Sequence, residues 1–172
     1  MNHSFRLNHK PGLVPRKKSQ TMETALQFHE KLTAAVGDPA RETRVHSKMK
    51  KGHVGHQGDV YIHKIADRPK AWDVLVTEHT QVALGSTVGS RHVATGNVRV
   101  YWPKSKDAAV TGCPIPLFPH DETARRVCLG PIVEADAPWI LDHPEHAPHE
   151  FPQGTYLLSF QFDYATKREV RD

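Results

Sequence analysis

Long apolar runs, cysteines and nucleotide-binding glycine motifs are scarce in this chain of 172 residues. No apolar run approaches the roughly 20 residues of a membrane span, and the basic N-terminus lacks the apolar stretch of a secretory signal. Cys113 and Cys128 form neither a redox nor a metal pair motif, and their number does not decide whether they pair. The glycine-containing turn at residues 85–90 lacks the lysine of a phosphate-binding loop. We therefore expect a protein made in the cytoplasm, with no membrane partner.

Alternation of apolar and polar residues predicts a mainly β fold. The clearest case is residues 156–164, where Tyr156, Leu158, Phe160 and Phe162 share one face of an expected central strand. Short segments separated by Gly, Pro and Asp turns favour a small antiparallel β-barrel or sandwich. The strand candidates are residues 59–65, 71–77, 81–84, 97–102, 126–135, 139–141 and 156–164.

The other segments are predicted to lie mostly outside this β-rich domain, which we expect to span residues 58–172. Residues 1–20 contain prolines without periodicity and are expected to form an extended arm. Residues 21–37 carry one apolar stripe at helical spacing and end on a glycine, which predicts a short amphipathic helix. Residues 38–57 are interpreted as a basic linker, and residues 103–125 as a long Pro-rich loop.

Charge is unevenly distributed along the chain. Residues 1–57 carry eleven Lys and Arg against four Asp and Glu, whereas residues 58–172 carry twelve against fifteen. A basic arm on a mildly acidic body suggests binding to another protein chain or to nucleic acid, with a solvated tail as the alternative. The predicted partner-binding cations of the arm are Arg6, Lys10, Arg16, Lys17 and Lys18.

Histidine is abundant, with thirteen in the chain. Because imidazole is a common ligand of transition metals, we expect His92, His143 and His146 to come together at one end of the β-rich domain as a candidate divalent-metal site, with Glu145 nearby. The alternative is that these histidines hydrogen-bond turn carbonyls and fix the loop. Ser159 and the other serines lack the context of a nucleophile elbow, so the sequence predicts no catalytic serine.

Several separated motifs resemble those of small, largely uncharacterised β-rich proteins encoded by bacteriophages and prophages. They are Gly-Ser-Arg-His at residues 89–92, His-Pro-Glu-His at residues 143–146 and Pro-x-Gly-Thr-Tyr at residues 152–156. The resemblance runs from about His56 to the C-terminus and excludes the arm and helix. It implies a compact β fold and a phage context, and it assigns no activity to any residue.

Three functions compete at this point. The first is a structural or interaction protein, most concretely a minor virion component that decorates the capsid or associates with the head and is anchored by its arm. The second is a cupin-like metal-binding enzyme that uses the histidine cluster around iron, zinc or manganese. The third is an accessory protein whose basic arm contacts nucleic-acid phosphates with little sequence preference.

Overall fold

The computed structural model describes residues 42–76, 80–84 and 91–170. They lie in the second of two units into which the chain divides, Asp38–Asp172. The predicted arm, the predicted helix and the turn at residues 85–90 lie outside the described residues. So do the five cations of the arm, Arg6, Lys10, Arg16, Lys17 and Lys18.

Strands dominate the described part, as the sequence predicted. A five-stranded sheet has the order β1-β10-β9-β6-β5, a six-stranded sheet has the order β2-β3-β11-β8-β7-β4, and β12 pairs with β13. All pairings are antiparallel except that of β1 with β10. In chain order the strands are β1 Arg44–Val45, β2 Val54–Gln57, β3 Val60–Ile65, β4 Trp72–Val76, β5 Gln81–Leu84, β6 Arg91–Thr95, β7 Val98–Pro103, β8 Leu129–Ala135, β9 Trp139–Asp142, β10 His149–Phe151, β11 Gly154–Phe160, β12 Phe162–Asp163 and β13 Arg168–Glu169.

The two large sheets pack face to face around one apolar core. Trp139 and Phe151 from the five-stranded sheet meet Tyr156 of β11, with their ring centroids 5.3 and 5.8 Å from that of Tyr156. Leu158 and Ile62 of the six-stranded sheet are buried in the same cluster. The mainly β prediction is therefore confirmed. Of the two predicted forms, the described strands make an open sandwich and not a closed barrel, because each sheet ends in an edge strand.

Two short helices lie where the sequence predicted only a loop, and the first of them covers part of the outer face of the six-stranded sheet. They are α1 Lys106–Gly112 and α2 Glu122–Cys128. Ser105 and Asp121 cap their first turns by accepting hydrogen bonds from backbone amides at 3.1 and 2.9 Å. A helix of two turns is too short for its apolar periodicity to stand out. The predicted loop over residues 103–125 is corrected accordingly, and the strand expected from residue 126 begins at Leu129.

The predicted basic linker, residues 38–57, contains two strands instead. In this segment β1 pairs with β10 and β2 pairs with β3, so each completes an edge of a sheet. Arg44 donates its backbone amide to the Pro148 carbonyl at 2.9 Å. Short strands of two and four residues give no readable alternation, and the partner of β1 lies about a hundred residues away, so the expected start of the domain at residue 58 was too late.

The last long strand is more deeply buried than its alternation predicted. Residues 156–160 of β11 are buried on both faces, because α1 and the segment that follows it cover the side that was expected to face solvent. The strand ends at Phe160, after which Gln161 donates its amide to the Asp59 carbonyl at 2.9 Å. Phe162 lies in the separate β12–β13 hairpin, and Tyr164 is exposed.

Two smaller points complete the description. Cys113 and Cys128 are both free thiols. None of the helices in the described ranges is long and apolar enough to cross a membrane.

Candidate functional site

The structure brings the three predicted loop histidines together. The ring centroids of His92 and His143 are 4.4 Å apart, those of His143 and His146 are 4.6 Å apart, and those of His92 and His146 are 6.2 Å apart. The cause is the pairing of β6 with β9, which sets Val93 opposite Asp142 and thereby places the two strand ends side by side. His92 lies in β6 and not in a turn as predicted, whereas His143 and His146 lie in the turn after β9; we call these three residues the loop histidine cluster.

The rings of this cluster pack against one another. Their planes are inclined by 23° to 32° to one another. Within the described residues, no group of three or more His, Cys, Asp or Glu side chains is arranged to hold a metal ion. The Nδ1 atom of His143 accepts a hydrogen bond from the Glu145 amide at 3.2 Å. This hydrogen bond ties His143 to the backbone of the turn that it begins.

A separate pair of histidines lies where β1 pairs with β10. His46 Nε2 and His149 Nδ1 are 3.2 Å apart, and the His46 ring stacks on Phe151 with centroids 4.6 Å apart. Burial, together with the charge of His46, lowers the pKa of His149 to about 4. Both rings are therefore neutral near pH 7, and they pack as aromatic side chains.

His63 makes a different contact, with a serine hydroxyl. His63 on β3 and Ser159 on β11 lie on the same face of adjacent antiparallel strands, because Leu157 is opposite His63 and Ser159 is opposite Tyr61. The distance from His63 Nε2 to Ser159 Oγ is 2.8 Å. Burial lowers the pKa of His63 to about 4, so its ring is neutral near pH 7 and can accept the hydroxyl proton.

This pair borders a cavity of about 260 Å³. The walls are mainly aromatic: Tyr61, Phe118, Phe160 and Phe162 line it together with Leu117 and Gln161. Small-molecule sites are typically apolar recesses with a few polar groups at fixed positions. The Ser159–His63 pair supplies such groups here, so the cavity is the candidate functional site with the most defined chemistry.

The sequence does not predict this site. The predicted histidine site rests on segments that are dense in histidine, and His63 lies outside those segments. Ser159 has no nucleophile-elbow context, so the sequence predicts no catalytic role for it. The one signal available was the polar Ser159 within an otherwise apolar strand, but its partner depends on the register between strands almost a hundred residues apart.

A separate exposed feature is the outer edge of the six-stranded sheet. Strand β4 is its last strand, and the adjacent residues Val74 and Leu75 are 48% and 45% exposed. Neighbouring residues of a strand point to opposite faces, so this edge is apolar on both sides. Such an edge favours pairing with a further strand. We call residues 72–76 the β4 edge.

Comparison with known proteins adds a family but no activity. Neither the curated proteins nor the solved structures gave a match. The model of one family matches residues 56–161, which is more than half of the chain and includes β3, β11, the loop histidine cluster and the His63–Ser159 pair. The chain therefore belongs to the family described as Domain of unknown function (DUF8820).

Proposed function

We propose that this protein is a structural or interaction protein that binds other chains of a larger assembly. In its most concrete form it is a minor bacteriophage virion component, which decorates the capsid or associates with the head. We propose that the protein is located in the virion. The observation that carries the interaction role is the exposed apolar β4 edge, and the phage context rests on the sequence resemblance described above.

The β4 edge suits one kind of occupant, an extended segment of another protein chain. An outer strand offers backbone amides and carbonyls to a pairing strand, and main-chain hydrogen bonds supply affinity in this mode of binding. Val74 and Leu75 would be covered on opposite faces by the side chains of the added strand. Native proteins usually protect an edge with charges or prolines; this edge carries Asp73, paired with Lys104 at 2.6 Å, whereas residues 74–76 are Val, Leu and Val.

The basic segment supplies the second half of the proposal. Arg6, Lys10, Arg16, Lys17 and Lys18 occur without an acidic residue among the first 22 positions. We propose that they anchor the chain on an acidic partner surface, with nucleic-acid phosphates as the competing target. Deleting residues 1–20 should weaken association in a salt-dependent manner and leave the melting temperature of the protein almost unchanged.

Sedimentation with phage particles tests the interaction role. The full chain is expressed in cells that produce particles of the phage encoding it, and its amount in the purified particle band is measured by mass spectrometry. The double variant Val74→Lys with Leu75→Glu should reduce this amount by about tenfold or more, which corresponds to a loss of roughly 1.4 kcal/mol of binding free energy. Charged residues oppose strand addition at an edge.

The matched control is Val54→Lys, which places one charge on an exposed residue of β2 at the opposite edge of the same sheet. It should leave the amount in the particle band within about twofold of the unmodified chain. Absence of the unmodified chain from purified particles would contradict the virion role. An equal loss in the control and in the double variant would contradict the assignment to the β4 edge.

A further inference from the structure

We propose that Ser159 and His63 form a nucleophile–base pair, and that the adjoining cavity accepts a small apolar acyl or aryl ester. This activity is independent of the β4 edge. Activation of a serine requires a base within hydrogen-bonding distance of the hydroxyl, and the 2.8 Å between His63 Nε2 and Ser159 Oγ meets that requirement.

The two side chains are held on rigid elements. Strands β3 and β11 are adjacent and internal in the six-stranded sheet, with six consecutive paired positions from Thr155 to Phe160. Ser159 is only 1% exposed, so its hydroxyl is shielded from bulk water. A group placed on paired strands is positioned more accurately than one on a loop.

The protonation state of the base also fits. A histidine accepts the serine proton only when its ring is neutral. Because burial lowers the pKa of His63 to about 4, the neutral ring predominates at pH 5 and above. The same environment makes the ring a weaker base than an exposed imidazole, so the reaction should be slow and best seen with an activated ester.

The backbone at Phe118, which lines the same cavity, is strained and held by hydrogen bonds. Phe118 has a φ of +46°, a left-handed conformation that a bulky side chain rarely adopts. The Arg125 guanidinium donates to the carbonyls of Leu117, Phe118 and Pro119 at 2.9, 3.0 and 3.2 Å. Backbone strain that the surroundings enforce in this way is concentrated at functional sites.

The sheet itself is irregular beside Ser159. The pairing of β11 with β8 shifts between Leu157 and Ser159, which oppose Ile132 and Leu129. At Gly130, within this irregularity, an added Cβ atom would lie 2.8 Å from the Phe160 ring and 3.0 Å from the Leu158 carbonyl. Bulges of this kind redirect side chains and are frequent next to active sites. The His63–Ser159 pair, the strained backbone at Phe118 and the irregular pairing next to Ser159 therefore all lie at or beside one cavity.

The proposed step is an acyl transfer from ester to serine. Ser159 Oγ attacks the carbonyl carbon of the ester while its proton moves to His63 Nε2. The new Oγ–C bond forms, the bond between the carbonyl carbon and the leaving oxygen breaks, and the leaving group takes the proton from His63. The products are an acylated Ser159 and a free alcohol or phenol, and water can later hydrolyse the serine ester by the reverse proton movements.

Labelling with p-nitrophenyl acetate tests this step on the full chain. The protein is treated at about neutral pH, quenched in acid and digested, and the acetylated peptides are identified by mass spectrometry. We expect acetyl on the peptide that contains Ser159 and none there in Ser159→Ala. His63→Gln should slow acetylation of Ser159 by about a hundredfold or more, the usual contribution of a general base.

Two exposed residues provide matched controls, Ser47→Ala and His120→Gln. Both should label at Ser159 as the unmodified chain does, and circular dichroism melting identifies any variant that has failed to fold. If Ser159→Ala does not fold, Ser159→Cys keeps a nucleophile of similar size and should form a thioester at the same position. Acetylation confined to lysines, or equal labelling of Ser159 in folded His63→Gln, would overturn the proposal.

Discussion

The loop histidine cluster and the His63–Ser159 pair use the same side chain in opposite surroundings. In the cluster, His92, His143 and His146 pack ring against ring, and the described hydrogen bond of His143 is with a backbone amide. In the pair, a single imidazole nitrogen meets a hydroxyl beside a cavity. The difference shows that the density of histidines in a segment does not by itself reveal what each ring nitrogen contacts.

The largest effect on the free energy of unfolding should come from removing the side chain of Phe160, the neighbour of Ser159. Phe160 follows Ser159 in β11, is 7% exposed and packs in the main core. Phe160→Ala should lower the free energy of unfolding by about 3–5 kcal/mol, because transfer and cavity costs add for a buried aromatic residue. Urea unfolding measures this. The exposed Leu75→Ala serves as the control, and a comparable loss in both variants would show that β11 is not central.

A smaller loss should follow from changing the loop histidine cluster. His143 is buried, accepts a hydrogen bond from the Glu145 amide and packs against two other rings. His143→Ala should reduce the free energy of unfolding by about 1–3 kcal/mol, the cost of leaving a buried polar group without its partner. Acetylation of Ser159 should continue at the original rate in this variant. Loss of labelling without loss of stability would show that the two regions are coupled.

Acidification should lower the stability of the fold gradually, which is the smallest of the expected effects. Near neutral pH we expect stability to stay constant. The pKa values of His63 and His149 are lowered from 6.5 to about 4 in the folded protein. Between these two values the unfolded chain binds protons that the folded chain does not, so stability decreases as the pH falls from about 6.5 toward 4. Above that window the contribution of both groups to stability is constant.

Urea midpoints at a series of pH values measure the effect. His63→Gln and His149→Gln should each flatten the decrease in stability between about pH 6.5 and 4, since each removes one group that must be protonated on unfolding. His120→Gln, on the exposed surface, is the control. A pH profile that neither buried-site variant changes would mean that other groups govern acid unfolding.

Much of the sandwich could be predicted from the sequence because its strands alternate. Residues 156–160 were expected to be central, and the meeting of His92 with His143 was expected from two predicted turns next to neighbouring strands. The two-turn helices and the two-residue strand β1 could not be predicted, because their periods are too short to detect. The His63–Ser159 pair depends on the register of β3 against β11, and local patterns do not fix a register between strands so far apart.

The tautomers of His63 and His143 test the central comparison most directly. The His143 Nδ1 atom accepts from an amide, so a neutral His143 carries its proton on Nε2. If Ser159 donates to His63 Nε2, a neutral His63 carries its proton on Nδ1. We expect ¹⁵N NMR of the histidine rings at neutral pH to show these opposite tautomers. A protonated Nε2 on His63 would mean that the ring donates to Ser159, and it would contradict the assignment of His63 as a base.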